Sequence, residues 1–208
     1  MKTIFINGIE YIQAPPLKLK KAMERERALR LIRNGELRLC TPLYYRKVDP
    51  NNPDQMDPYE DIGIKVCQGV ECSTESGNPS FIWCCADMKA EDQKLLNIDK
   101  KYDTILIIDN PQGFFELICH SLRENSYQFL AQAGTVYYDK GKKENRYFWG
   151  DNTFQKHEKY SYQEEFRISI RDLTFACARE SINLQLGDCS SFLSLRDKAE
   201  QENPADTG

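Results

Sequence analysis

The sequence predicts an α+β fold: one domain over residues 1–196, with a curved, mostly antiparallel sheet at its core and flanking helices. Three observations predict it. Strand-like runs outnumber helical ones, with few helices interspersed among them. Asn7-Gly8, the strongest short hairpin signal, separates apolar runs at 3–6 and 9–12. Residues 162–170 alternate with period two, placing Phe166, Ile168 and Ile170 on one face and Gln163, Glu165, Arg167 and Ser169 on the other.

The N-terminal hairpin over 3–12 ends at Pro15-Pro16. Residues 17–34 carry a helix pattern, with Leu19, Met23, Leu29 and Ile32 apolar and Gly35 as the C-terminal cap. Within it, Glu26 and Arg30 stand in the favourable order for a helical ion pair. A short strand at 37–40 leads through 41–46 to a Pro/Asn/Asp-rich loop at 48–60, long enough to be functional or mobile. A second hairpin is expected over 62–66 and 69–72, a polar turn over 73–79 and a buried strand over 80–86. A short helix at 91–96, a strand at 104–108 and a helix at 111–124 follow, the last with Pro111 in its first turn. Strands are then expected at 135–138, 162–170, 174–178 and 182–186, with a Gly/Lys turn at 139–143 and a disordered tail at 197–208.

Composition removes several function classes. A net charge of −4 argues against broad affinity for nucleic acid or anionic membranes. No apolar run approaches the ~20 residues of a membrane span. The first residues lack the apolar core of a signal peptide, so a cytoplasmic setting is expected. The eight cysteines mostly sit inside apolar runs and form no CxxC pair, and there are only two histidines. Small buried hydrophobes in a reducing compartment are expected, and no metal site. Cys84 and Cys85, adjacent on a strand, point to opposite faces and make no working dithiol. His157 reads as a surface residue and His120 as packed or capping. The 140–143 turn is too short for a nucleic-acid stripe, and phosphate-binding glycine loops are absent.

The chemistry concentrates in the polar row of 162–170. Gln163, Glu165 and Arg167 supply an amide, a carboxylate and a guanidinium along one pleat. A structural reading pairs Glu165 with Arg167 on a polar strand face, making the chain a non-catalytic interaction module. A functional reading opens Glu165 into a cleft.

Glu36-Leu37-Arg38-Leu39-Cys40-Thr41-Pro42 after a helix-Gly end, then Asp57-Pro58-Tyr59-Glu60, then Lys156, Tyr160 and Gln163-Glu164-Glu165-Phe166-Arg167 follow in that order. In this arrangement the chain resembles the AbiGi-type abortive-infection family and its related bacterial proteins, over about residues 17–186. That family has Glu where this chain has Gln163, and Asn where it has Met56. The Gln163-x-Glu165 spacing is also similar to that of mono-ADP-ribosyltransferases. That resemblance implies an ADP-ribosyltransferase-like fold with NAD+ as substrate. It further implies Glu165 stabilising the oxocarbenium-like ribosyl cation as nicotinamide leaves, and Gln163 orienting the acceptor. Arg38 or Arg46 would hold the pyrophosphate, and Tyr44, Tyr45 or Tyr137 would stack on the nicotinamide. The expected function is a phage-defence or toxin-type protein using NAD+ for ADP-ribosyl transfer or hydrolysis, its partner either NAD+ itself or another protein.

An alternative enzyme is a metal-dependent nuclease, joining the loop acids Asp54, Asp57, Glu60 and Asp61 to Glu165 and to Lys156 or Lys159. The strand order such a site needs is missing, since Arg167 stands where its lysine belongs. A turn opened by Asp57-Pro58 is the simpler reading of those acids.

Overall fold

Asn7 and Gly8, with φ of 49° and 84°, turn the chain between β1 (Ile4–Ile6) and β2 (Ile9–Tyr11). Both sit in the left-handed region that a two-residue hairpin requires. The computed structural model describes residues 3–47, 62–67, 70–75, 80–139, 152–174 and 179–196. The expected loop at 48–60, the turn from 140 to 143, residues 175–178 and the tail at 197–208 lie outside these.

The remaining elements are β3 (Leu19–Met23), α1 (Arg25–Asn34), β4 (Glu36–Cys40), α2 (Pro42–Lys47), β5 (Ile62–Cys67), β6 (Val70–Glu75), β7 (Ser80–Asp87), α3 (Asp92–Leu96) and β8 (Thr104–Ile108). After these come α4 (Pro111–Glu124), β9 (Phe129–Thr135), β10 (Tyr137–Asp139), β11 (Gln155–His157), β12 (Glu165–Asp172), β13 (Ser181–Gln185) and β14 (Leu193–Leu195). Ten strands form one sheet in the order β1-β2-β9-β12-β7-β3-β8-β14, with β4 joined to β7 and β13 to β4. Only β2 with β9 is parallel in it, so the fold is α+β with a mostly antiparallel sheet. No helix among the described residues is long and apolar enough to cross a membrane.

The sheet forks at β7. On one side β12 pairs with it along its length, from Glu165 with Ala86 to Arg171 with Ser80. On the other side β3 pairs only through Leu19 with Asp87 and Lys20 with Ala86, whereas β4 pairs through Cys40 with Ile82. Cys84 stands between the two junctions. Its carbonyl, which neither strand reaches, accepts a hydrogen bond from Lys21 Nζ. Lys21 thus supplies a side-chain donor at the point where the β3 and β4 pairings with β7 part.

The main core lies between one sheet face and helices α1 and α4. Phe166, Ile168 and Ile170 are buried in it, as period two predicts, with Phe81, Trp83 and Cys85 of β7 beside them. Phe115 of α4 stacks on Phe166 at 6.0 Å and Phe114 tilts against Trp83 at 5.3 Å. Each such side chain contributes roughly 1.5–3 kcal/mol on burial. Asn110 caps α4 by accepting from the Gly113 amide, and Pro111 follows as its first residue. A smaller core on the opposite face gathers Ala22, Ala86, Ala90, Leu95, Ile105 and Ile107.

Several expected elements are corrected. The helix expected over 17–34 is strand β3 followed by α1, because 19–23 pairs along its whole length with β8 and, at Leu19 and Lys20, with β7 as well. Leu19 enters the main core, while Lys20 is buried and its ammonium donates to Asp92 at 2.8 Å and to the Ala90 carbonyl. Pairing in the sheet outweighs the helix propensity of the charged residues. Gly35 does cap α1, at φ 70°, where an added Cβ would lie 2.4 Å from the Gly187 carbonyl oxygen. Arg30 turns to Glu36 at 3.8 Å, and Glu24 pairs with Arg27 at 3.5 Å, in place of the expected Glu26–Arg30 pair.

Residues 73–75 belong to β6 and not to a turn, since they pair with 62–64. Strands β9 and β14 were not expected. Phe129–Thr135 is rich in Ala and Gly, and it reads as strand only once Ala131 and Ala133 are buried against the core and Ile12 packs over Gly134. His120 is exposed, 3.2 Å from Glu124, and neither packs nor caps.

Candidate functional site

Strand β12 places Glu165, Arg167 and Ser169 on the face away from the main core, and all three are buried. The polar row is therefore interior and not a wet surface. Gln163 does not belong to it. It ends a 3₁₀ segment, Glu158–Gln163, and Glu164 turns the chain into β12 with left-handed φ 44° and ψ 47°. The two-residue spacing brings Gln163 and Glu165 together through a third side chain, not through a shared pleat.

That third side chain is Lys156, on β11. Its ammonium donates to Gln163 Oε1 at 2.8 Å and to Glu165 Oε1 at 2.6 Å, and lies 4.8 Å from the centre of the Tyr160 ring. Arg167 takes the other carboxylate oxygen, with both Nε and Nη2 at 2.7 Å from Glu165 Oε2. Its Nη1 donates to the Thr153 carbonyl. The backbone holds the same point, because the Glu165 amide donates to Tyr138 Oη at 2.8 Å and the Val136 amide to the Glu165 carbonyl at 2.9 Å.

Desolvation by burial pushes the Glu165 carboxyl up, but the charges of Arg167 and Lys156 and their hydrogen bonds outweigh it and hold the group at about 2. Burial also pushes the Tyr138 hydroxyl well above its ordinary range, with the Glu165 charge adding to it. Because the folded value for Glu165 lies below the unfolded one, near 4.5, its stabilisation is fully present above that pH. It is lost as the pH falls from there through 2. Acid unfolding should consume about 3 kcal/mol through this group over that window, read as a fall in urea midpoint between pH 5 and about 2. An unchanged midpoint would show that the ion cluster carries no net stability.

Beside the cluster, in the fork of the sheet, lies a cavity of about 970 Å³. Gln163, Glu165, Arg167 and Lys156 line it from one side, and Arg38, Cys40, Tyr44 and Tyr45 from the other. Cys84 and Cys85 both border it, and Cys85 also belongs to the main core. The Arg38 guanidinium sits 4.8 Å from the centre of the Tyr44 ring, and Tyr44 meets Tyr45 edge-on at 5.7 Å. Burial raises the Tyr45 hydroxyl, with Cys84, Cys40 and Tyr102 near enough to add to it and Arg167 to oppose it. Burial likewise raises the Cys40 thiol against the opposing influence of Arg38 and Lys21. Neither group is an ionised nucleophile at neutral pH.

Five of the seven residues named for the NAD+ site thus line one cavity: Gln163, Glu165, Arg38, Tyr44 and Tyr45. The sixth, Arg46, lies on α2 with its side chain outside the described residues, as do the loop acids Asp54, Asp57, Glu60 and Asp61. Tyr137 is not among the lining residues. The cations Lys21, Lys100 and Lys101, which were not assigned to this site from the sequence, also line the cavity. In the sequence Lys156 stands out only as a nuclease lysine and in the family pattern. It lies on β11, a three-residue strand paired among the described residues only to β10, and no local pattern announces its burial. Compared with known proteins, the chain matches no family model, no curated protein and no solved structure.

Proposed function

We propose that the cavity binds NAD+ and that the protein uses it for ADP-ribosyl transfer or NAD+ hydrolysis, in the phage-defence or toxin-type role that the resemblance implies. On this reading the fold is ADP-ribosyltransferase-like and the setting cytoplasmic. One observation carries the proposal: Arg38, Tyr44, Tyr45, Gln163 and Glu165, from distant parts of the chain, converge on one cavity of about 970 Å³. Pockets for small ligands run to roughly 300–1,000 Å³, so a dinucleotide fits the upper end. Glu165 supplies fixed negative charge for the ribosyl cation that forms as the glycosidic C–N bond breaks and its electron pair leaves with nicotinamide. Water or an acceptor then attacks the cation and gives up a proton. Lys156 and Arg167 keep the carboxylate ionised and in place. Arg38 is available to a phosphate, and the two tyrosines offer stacking surface.

A second reading has its own observation. Both oxygens of Glu165 already accept hydrogen bonds, from Lys156 and Arg167, as in a structural ion pair. That favours a module that binds a ligand or a protein partner without turnover. Incubating the purified protein with NAD+ and following free nicotinamide separates the two. Turnover is expected, with Arg38→Gln raising KM about tenfold through the loss of one charge-assisted contact. NAD+ bound but unconsumed would select the module, and no binding at all would end the NAD+ proposal.

A further inference from the structure

We infer that the cavity carries a diphosphate subsite built by Lys21, Arg38, Lys100 and Lys101, all four of which line it. The inference takes from the preceding reading only that the cavity holds a ligand. The chain has a net charge of −4, yet eight of the lining residues are Lys or Arg and only four are Asp or Glu. Three of those acids are engaged with lining cations: Glu24 with Arg27, Glu36 with Arg30, and Glu165 with Lys156 and Arg167.

Lys21, Arg38, Lys100 and Lys101 form no ion pair among the described residues. Lys21 bonds the Cys84 carbonyl and lies 5.1 Å from the centre of the Trp83 ring, and Arg38 lies over Tyr44. Lys100 and Lys101 are exposed on the turn between α3 and β8, which is held by Asp99, whose side chain accepts from the Lys101 amide at 3.0 Å. Four cations without carboxylate partners among the described residues, around one concavity, make a positive potential that a low-dielectric wall focuses. A compact dianion satisfies it best, and two adjacent phosphates can meet point-charge lysines and a planar guanidinium together.

Inorganic pyrophosphate is the probe, titrated calorimetrically into the full chain, with adenosine as the uncharged control. Pyrophosphate should bind, adenosine far more weakly. Lys100→Gln combined with Lys101→Gln should weaken pyrophosphate binding about tenfold, since both side chains are exposed and their loss leaves the fold intact. Lys18→Gln combined with Lys94→Gln removes the same charge from sites paired elsewhere with Asp109 and Glu91 and should change it little. No pyrophosphate binding, or equal weakening by both double variants, overturns the subsite. Nicotinamide release without pyrophosphate affinity would overturn the subsite alone, whereas pyrophosphate binding without release would overturn the catalytic reading alone.

Discussion

Replacing Arg167 with methionine is expected to destabilise the protein by about 3–5 kcal/mol, because it breaks a buried ion cluster from one side. Arg167 is 1% exposed, and its guanidinium occupies Glu165 Oε2 and the Thr153 carbonyl together. The methionine fills much of the volume but leaves one carboxylate oxygen and one carbonyl short of donors. Lys156 alone then holds Glu165, and the carboxyl should rise from its depressed value. Urea denaturation at neutral pH measures the loss. Repeating it at falling pH should show a flatter acid limb than in the parent, since less stabilisation remains to be titrated away. A double variant, Glu165→Met with Arg167→Met, should lose less than the sum of the two singles, by up to about 3 kcal/mol of coupling. Additive losses would show that the two side chains do not support one another.

Glu165→Gln is expected to reduce nicotinamide release by about 10²–10³-fold, the usual consequence of removing a preorganised charge at a reacting centre. The amide keeps the shape, but it also strands Lys156 and Arg167 beside a neutral group, so the variant is expected to be less stable as well. Turnover must therefore be scaled to the folded fraction, taken from near-ultraviolet circular dichroism at the assay temperature. Activity per folded molecule that matches the parent would remove Glu165 from the chemistry and leave it as a structural anchor. Lost turnover with pyrophosphate binding retained would place the defect at the reacting end of the cavity.

Local signals carried much of the fold. The Asn7-Gly8 turn, the Gly35 cap and Pro111 at the start of α4 are all dictated by backbone conformations that few residues adopt. The alternation of Phe166, Ile168 and Ile170 is equally local, since period two names the core face of a strand wherever the strand lies. Where the local pattern and the sheet disagreed, the sheet prevailed. Residues 19–23 read as helix because their charges and leucines are helix formers, and they are strand because β7 and β8 offer pairing on both sides. The site followed the same division. Glu165 and Arg38 could be singled out as residue types on predicted strands, but Lys156 became a partner of Glu165 only through the 3₁₀ segment and the left-handed Glu164 between them.

By itself the sequence determined the class of fold, the hydrophobic face of β12 and the identity of the carboxylate on its other face, because these depend on the spacing of residues within one element. Only the tertiary structure decided that this carboxylate is buried between a lysine and an arginine, and that β3 and β4 part at β7 to open a cavity beside it. Those features arise from contacts between segments far apart in the chain, whose free energy exceeds any local preference and leaves no periodic trace along it.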